Sequence, residues 1–432
     1  MIAPARGAAY EALLAHEAKG AELPGATAAA RRALSDPRDQ TLFTELVTGT
    51  IRMRGAIDHQ LALRCSRPLP GLDAAVLTSL RLGAFQLLYL DRVPPSAAVN
   101  DAVALTRRGG KSSAAGMVNA VLRALARDRG SLVWPEPPEV AEATALAIRH
   151  SHPEWLVERW LSRYGPERTR AWLAFNNEAP RLCLAVNRLK GTRDQLAARL
   201  RDEGVLTSPT SRARHGLIVT SGPALGTAAF NDGWFVVQDE ASQLITELGS
   251  VAPGQRVLDL CAAPGGKTLA LVARASPGGR VVACDVRPRR VRLLRSTLTR
   301  AGVATQVPVI RVALAGTLPF LPGAFDTVLV DAPCSGLGTL RRDPDIRWGR
   351  SATDLPRLVA GQQALLARAS VLVKPGGELI YSTCSSEPDE NERVVAAFLE
   401  AAPTYGLRHE HRTSPPDDGL EAFYGAVIAR NL

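Results

Sequence analysis

Two cysteines set among small polar residues carry the most pointed chemistry in this 432-residue chain. Cys334 lies in Asp331-Ala332-Pro333-Cys334-Ser335-Gly336, and Cys384 in Tyr381-Ser382-Thr383-Cys384-Ser385-Ser386. Each follows a short apolar run that reads as a buried strand, so each thiol belongs at a strand end. A thiolate placed there is a nucleophile suited to covalent catalysis. One reaction that needs such a group is substitution at C5 of cytosine, a carbon with little nucleophilicity of its own. A thiolate adding to C6 breaks the ring's conjugation and drives electron density onto C5. Asp331 is placed to stabilise charge at the N3 and N4 edge, and a base must later remove the C5 proton. The residues alone leave open which cysteine attacks.

The electrophile for such a step has a candidate site in Val257-Leu258-Asp259-Leu260-Cys261-Ala262-Ala263-Pro264-Gly265-Gly266-Lys267-Thr268. An apolar strand there turns through glycines into a helix N-terminus, which offers unpaired backbone N–H groups to a ligand. Two readings compete. Gly266-Lys267-Thr268 matches the end of a phosphate-binding loop, with Asp331 as a metal-binding acid. However, Cys261 stands where that loop needs its first glycine, and Pro264 removes an N–H group. The second reading is a pocket for S-adenosylmethionine, which requires an acid on the next strand to bond a ribose hydroxyl. Arg280-Val281-Val282-Ala283-Cys284-Asp285 supplies it, about 20 residues beyond the glycines. The methyl donor is favoured.

The elements that must position these groups follow from periodicity. From about residue 250, strands are expected near 257–261, 280–285, 307–312, 327–331, 378–383 and 423–429. Helices are expected at 267–274, 288–300, 357–373 and 390–401. Such alternation implies a mostly parallel sheet with helices on both faces and ligands beyond the C-terminal strand ends. Gly266, Asp285, Asp331 and Cys384 all fall at such ends. Upstream, residues 1 to about 130 carry apolar side chains at three- and four-residue intervals, the helical period. Ser96, after Pro94-Pro95, is the expected N-cap of a helix from Ala97 to Thr106. Trp134-Pro135-Glu136-Pro137-Pro138 reads as a linker. Beyond it come two helices, 153–164 and 167–176, with Trp155, Trp160 and Trp172 as local anchors. Strands at 181–187 and 216–220 around a helix at 194–203 suggest a small α+β module.

Bulk properties narrow the class. A net charge of +10, with only five lysines among 52 basic residues, suits a binder of a polyanion. The six cysteines include no Cys-x-x-Cys pair, so neither a disulfide framework nor a metal site is expected. Cys65, Cys183 and Cys284 read as small buried hydrophobes. No apolar run is long enough to span a bilayer, and the first residues lack the apolar core of a secretory signal, so a cytoplasmic protein is expected.

These motifs together resemble the Nop/Sun class of RNA cytosine-C5 methyltransferases, and within it the Sun or RsmB type that acts on 16S rRNA. Arg341-Arg342-Asp343-Pro344-Asp345-Ile346-Arg347-Trp348, Leu372-Val373-Lys374-Pro375-Gly376-Gly377 and Val237-Gln238-Asp239-Glu240-Ala241-Ser242-Gln243-Leu244 also match. Ala98-Val99-Asn100-Asp101-Ala102-Val103 and Val118-Asn119-Ala120-Val121-Leu122-Arg123 are similar to the NusB-type RNA-binding domain. The resemblance implies an α/β, Rossmann-like class I methyltransferase domain at 241–432. An all-α NusB-like domain at 1–133 and the α+β module at 145–240 would precede it. It further implies S-adenosylmethionine bound by Cys261, Ala262, Ala263, Pro264, Gly265, Gly266 and Lys267, with Asp285 on the ribose and Asp331 between donor and base. Cys384 is then the nucleophile and Cys334 the group that assists product release. Lys267 either braces the pocket or simply partners Asp331. The implied partner is 16S rRNA, unassembled or partly assembled, bound by a monomer without metal or membrane. The target base would be turned out of a stack or lie in a loop. One departure stands out: Val312 occupies the third strand end, where the family usually has an acid. A NusB-like assembly factor with a decayed catalytic domain is therefore an alternative, as is a tRNA cytosine-C5 methyltransferase.

Overall fold

The structure, a computed structural model, describes residues 2–19, 23–313 and 316–432. It divides into two compact units, residues 1–178 with 343–349, and residues 179–342 with 350–432.

The first unit is helical. Its core helix, Ala74–Tyr89, is buried over most of its surface. Apolar faces of Pro37–Arg52, Pro95–Arg108 and Ala115–Asp128 pack with it through Phe43, Leu46, Leu82, Leu105 and Leu122. Close approach explains Gly83, where a Cβ would lie 2.6 Å from Leu122 Cδ1. Arg81 is buried within this apolar surround and holds two acids, Asp58 at 2.7 Å and Glu17 at 2.5 Å. Pro95 opens its helix at a first-turn position where a missing N–H costs nothing, with Pro94 as the flanking residue. Ser96 therefore lies inside the first turn and does not cap it, contrary to expectation. The two expected helices at 153–164 and 167–176 are present within Glu154–Asn177, separated by the non-helical Gly165 (φ 75°) ahead of Pro166. Trp160 and Trp172 stack at 4.9 Å in its core, while Trp155 stays partly exposed. Residues 343–349 also belong to this unit. The buried Arg347 donates to the Ser151 carbonyl at 2.9 Å, the Asn176 carbonyl at 3.1 Å and Asn177 Oδ1 at 3.0 Å. Trp348 Nε1 donates to the Ile51 carbonyl at 2.8 Å.

The second unit holds two sheets. The smaller comprises β1 (Cys183–Val186), β2 (Leu206–Pro209), β3 (Gly216–Ser221) and β4 (Phe235–Val237) in the order β2-β3-β1-β4. It packs on the helix Arg193–Asp202, whose Thr192 and Gln195 form a capping box. The larger sheet comprises β5 (Arg256–Asp259), β6 (Arg280–Asp285), β7 (Val309–Arg311), β8 (Phe325–Asp331), β9 (Val373–Thr383), β10 (Tyr405–Thr413) and β11 (Phe423–Arg430). Its order is β10-β11-β9-β8-β5-β6-β7. β5 pairs in parallel with both β6 and β8, so the chain leaves it in opposite directions. That reversal opens the crevice where open α/β sheets bind ligands. β11 and β10 run antiparallel at the far edge. The mostly parallel sheet expected from the alternation is present, with β10, β2 and β4 as strands the sequence reading lacked. No helix among the described residues is long and apolar enough to cross a membrane.

Candidate active site

The crevice at the strand reversal is built from the turn after β5. Gly265 adopts φ 112° to cap the helix Gly266–Ala275, and a Cβ there would press on Leu294 Cδ1 at 3.0 Å. Gly266 faces Gln238, whose Oε1 would lie 3.2 Å from an added Cβ. Asp285 ends β6 and organises the loop: Oδ2 accepts the Ala263 N–H at 3.1 Å and Oδ1 the Val286 N–H at 2.8 Å. Arg290, half exposed, reaches Asp285 Oδ2 at 3.2 Å from the outside and the Ala263 carbonyl at 2.6 Å. Asp259, fully buried at the end of β5, accepts from Thr268 Oγ1 at 2.7 Å, and its other oxygen has no protein partner. Burial pushes this carboxyl up to about 7. Cys261 is buried in the same turn, and burial raises its thiol. Cys183 and Cys284 are likewise buried, with thiols pushed up to about 12 by desolvation.

Beside this turn, β8 and β9 deliver the reactive groups. Asp331 closes β8, and its Oδ2 takes Lys267 Nζ at 2.8 Å while Oδ1 accepts from Ser382 Oγ at 2.8 Å. Burial alone would lower the Lys267 ammonium, but Asp331, with the field of Cys384, holds it above its ordinary value. Lys267 is also 5.7 Å above the Phe423 ring. Cys334 and Cys384 lie on the loops that follow, both partly exposed, with sulfurs 3.4 Å apart. The hydrogen bond to Cys384, then burial, keeps Cys334 well above the ordinary thiol range. Two thiols in contact, with an ion pair alongside, can divide the work between a nucleophile and a proton carrier.

The geometry therefore gathers Lys267, Asp331, Cys334 and Cys384 at neighbouring strand ends, with Cys261 to Gly266 and Asp285 one strand away. It also supplies groups that sequence reading passed over: Ser382, Gln238, Arg290, Asp259 as an orphaned acceptor, and Glu390 behind the cysteine loops. Of these Ser382, Gln238 and Asp259 stood in quoted motifs; the spacing of Arg290 and Glu390 gave no signal. At the third strand end, Val312 is buried and apolar, and its N–H donates to the Asp285 carbonyl at 3.1 Å. Among the described residues no group of three or more His, Cys, Asp or Glu could hold a metal ion.

The same turn fits a nucleoside-like donor such as S-adenosylmethionine. It offers backbone free of side chains at two glycines, an acid on the second strand and a buried carboxylate oxygen that lacks a partner. Comparison with known proteins agrees. Residues 248–422 match the family model for 16S rRNA methyltransferase RsmB/F, residues 3–127 that for the NusB family, and residues 152–225 that for the ferredoxin-like domain of RsmF/B-like methyltransferases. The chain is 35% identical to ribosomal RNA small subunit methyltransferase B of Pseudomonas putida, over 91% of each chain. It is 33% identical to the protein of that name from Vibrio cholerae, over 98% of this chain and 97% of the relative. Among solved structures, that of PH0851 superposes with a TM-score of 0.84 at 24% identity, over 99% of each chain. A methyltransferase homolog protein from Pyrococcus horikoshii gives 0.58 at 26% identity, over 67% of this chain and 99% of that one.

Proposed function

This chain belongs to the RsmB/F family of 16S rRNA methyltransferases and uses S-adenosylmethionine, and from that premise we propose that it methylates C5 of a cytosine through a covalent thiol adduct. The observation that carries the proposal is the convergence of two sulfurs 3.4 Å apart beside the Asp331–Lys267 pair. Bound S-adenosylmethionine supplies an electrophilic methyl group on a sulfonium. Cys261 to Lys267 and Asp285 would hold it, with a ribose hydroxyl taking the outward position now filled by Arg290.

Cys384 is the nucleophile in this reading. Burial and the hydrogen bond to Cys384 hold Cys334 well above the ordinary thiol range, which suits it to the protonated, release-assisting role rather than to attack. Asp331, braced by Lys267 and Ser382, faces the N3 and N4 edge, where its carboxylate accepts from the N4 amino group while the Lys267 ammonium beside it offsets the negative charge that builds on the ring. After C5 has taken the methyl group, loss of the C5 proton and breakage of the C6–S bond restore the aromatic ring. Cys334 assists that release. The helical unit and the small sheet would grip the flanking RNA backbone of unassembled or partly assembled 16S rRNA. We place the enzyme in the cytoplasm as a monomer. The test is nucleoside analysis of RNA methylated in vitro. The expected product is 5-methylcytidine from the wild type and none from Cys384→Ala; another methylated nucleoside would overturn the reading.

A further inference from the structure

Behind the two reactive loops lies a buried polar cluster centred on Glu390, in the turn before the helix Glu392–Ala401. Glu390, Ser335, Ser385 and Gln362 are all at most 2% exposed. Glu390 Oε1 accepts the Ser335 N–H at 2.8 Å and Gln362 Nε2 at 2.9 Å. Its Oε2 accepts the hydroxyls of Ser335 and Ser385, each at 2.5 Å. Ser335 directly follows Cys334, and Ser385 directly follows Cys384. Gln362 also donates to the Pro333 carbonyl at 3.0 Å, on the other side of Cys334. The adjacent Asn391 does the same for Cys384. Its Oδ1 accepts from Thr383 Oγ1 at 2.5 Å and its Nδ2 donates to the Ser385 carbonyl at 3.0 Å. Ser335 and Ser385 are thus tied to Glu390 itself, and Pro333 and Thr383 to the flanking Gln362 and Asn391.

Resting on the thiol chemistry proposed above, we propose that Glu390 is the positioning residue that fixes the two reactive sulfurs relative to each other. Four donors converge on it, and an ionised carboxylate is the side chain that offers four acceptor sites and no donor. Hydrogen bonds to an ionised group are shorter and roughly twice as strong as neutral ones. Burying a carboxylate is costly and seldom the most stabilising way to fill a core. What this one supplies is a fixed link between loops from different strands, which apolar packing would leave free to slide. Arg350 Nε, donating to the Ser335 carbonyl at 3.0 Å, places a cation against the same loop.

The experiment compares full-length wild type with Glu390→Ala, Glu390→Gln, and Leu200→Ala as a destabilised control in the smaller sheet's core. Two rates are read. One is single-turnover methyl transfer at saturating RNA and S-adenosylmethionine. The other is closure of the Cys334–Cys384 disulfide by oxidised glutathione, without RNA or donor; two thiols are oxidised as one oxidised glutathione yields two reduced molecules. Glu390→Ala should slow transfer about 100-fold, as expected for a misplacement near 1 Å. It should slow closure at least about tenfold, because disulfide geometry is narrow. Donor affinity by calorimetry should stay within about twofold, since Glu390 does not face the donor turn. Glu390→Gln should recover most of both rates. Its Oε1 keeps the two N–H donors, and the serine hydroxyls can turn to accept from its amide. Leu200→Ala should change neither rate. Should Glu390→Ala not fold, Gln362→Leu takes its place, with the same two losses in smaller measure. Unchanged rates in the Glu390 or Gln362 variants, or equal losses in Leu200→Ala, overturn the proposal. If the wild type makes no 5-methylcytidine, the reading of function fails, while the closure rate still reports on Glu390.

Discussion

At the residue scale, the site depends on two thiols in contact. The hydrogen bond to Cys384 and burial hold Cys334 well above the ordinary thiol range, so it should alkylate with iodoacetamide at pH 7.5 at least about tenfold more slowly than a free cysteine peptide. Peptide mass spectrometry of briefly treated protein, with such a peptide as internal standard, checks the rate, and labelling of Cys334 as fast as the standard would contradict it. Asp331 answers to a different argument. Asp331→Asn removes the charge that pairs Lys267 and that, in the proposed reaction, accepts from the base, and methyl transfer should fall by about 10²- to 10³-fold. Steady-state kinetics should show the loss in kcat, with substrate KM little changed. These residues were legible because each ends a buried apolar run, where side chains of open α/β sheets meet ligands. Glu390 was not legible. The expected helix over 390–401 made it a first-turn residue, and only the tertiary fold, which starts that helix at Glu392, turns its carboxylate inward.

At the element scale, the strand–turn–helix at 256–275 is the proposed seat of the donor. Gly265→Ala puts a side chain on a left-handed backbone position and against Leu294. It should weaken S-adenosylmethionine binding by about tenfold or more in calorimetry, with a stability loss of about 1 kcal/mol or more. The end of β5 also makes a pH prediction. The Asp259 carboxyl is raised by burial to about 7, above its unfolded value of 3.8, so the folded state binds more protons between those values. Its contribution to stability is therefore largest below about pH 4 and is lost as pH rises to about 7. Asp259→Asn should flatten that slope in urea melts of the donor-free protein; an unchanged slope would contradict the assignment. Most of the sheet was legible, since strands buried on both faces read as continuous apolar runs. β10 was not: Tyr405–Thr413 is an edge strand with Arg408, His409 and Glu410 in solvent, and its polarity hides its pairing. The division within Glu154–Asn177 was legible, because Gly165-Pro166 breaks the helical pattern where the backbone leaves the helix at Gly165.

At the scale of the whole molecule, charge and chain path matter more than any one motif. With a net charge of +10, RNA affinity should fall as salt rises, with a log–log slope of about −0.7 for each phosphate neutralised on single-stranded RNA. Filter binding across a salt series measures that slope, and affinity indifferent to salt would exclude a basic RNA-gripping surface. Composition made an RNA partner legible. It did not reveal that residues 343–349, lying in sequence between the two cysteine-bearing strands, belong to the helical unit, where Arg347 finds the carbonyls of Ser151 and Asn176. No local pattern encodes such a return. The central claim is that Cys384 bonds to cytosine while Cys334 frees the product. The direct measurement uses full-length Cys334→Ala incubated with 16S rRNA and S-adenosylmethionine, denatured, digested and examined by mass spectrometry. The account predicts a stable protein–RNA adduct in which the peptide carrying Cys384 holds a methylated cytidine. An adduct on any other residue, or full turnover by Cys384→Ala, would contradict it.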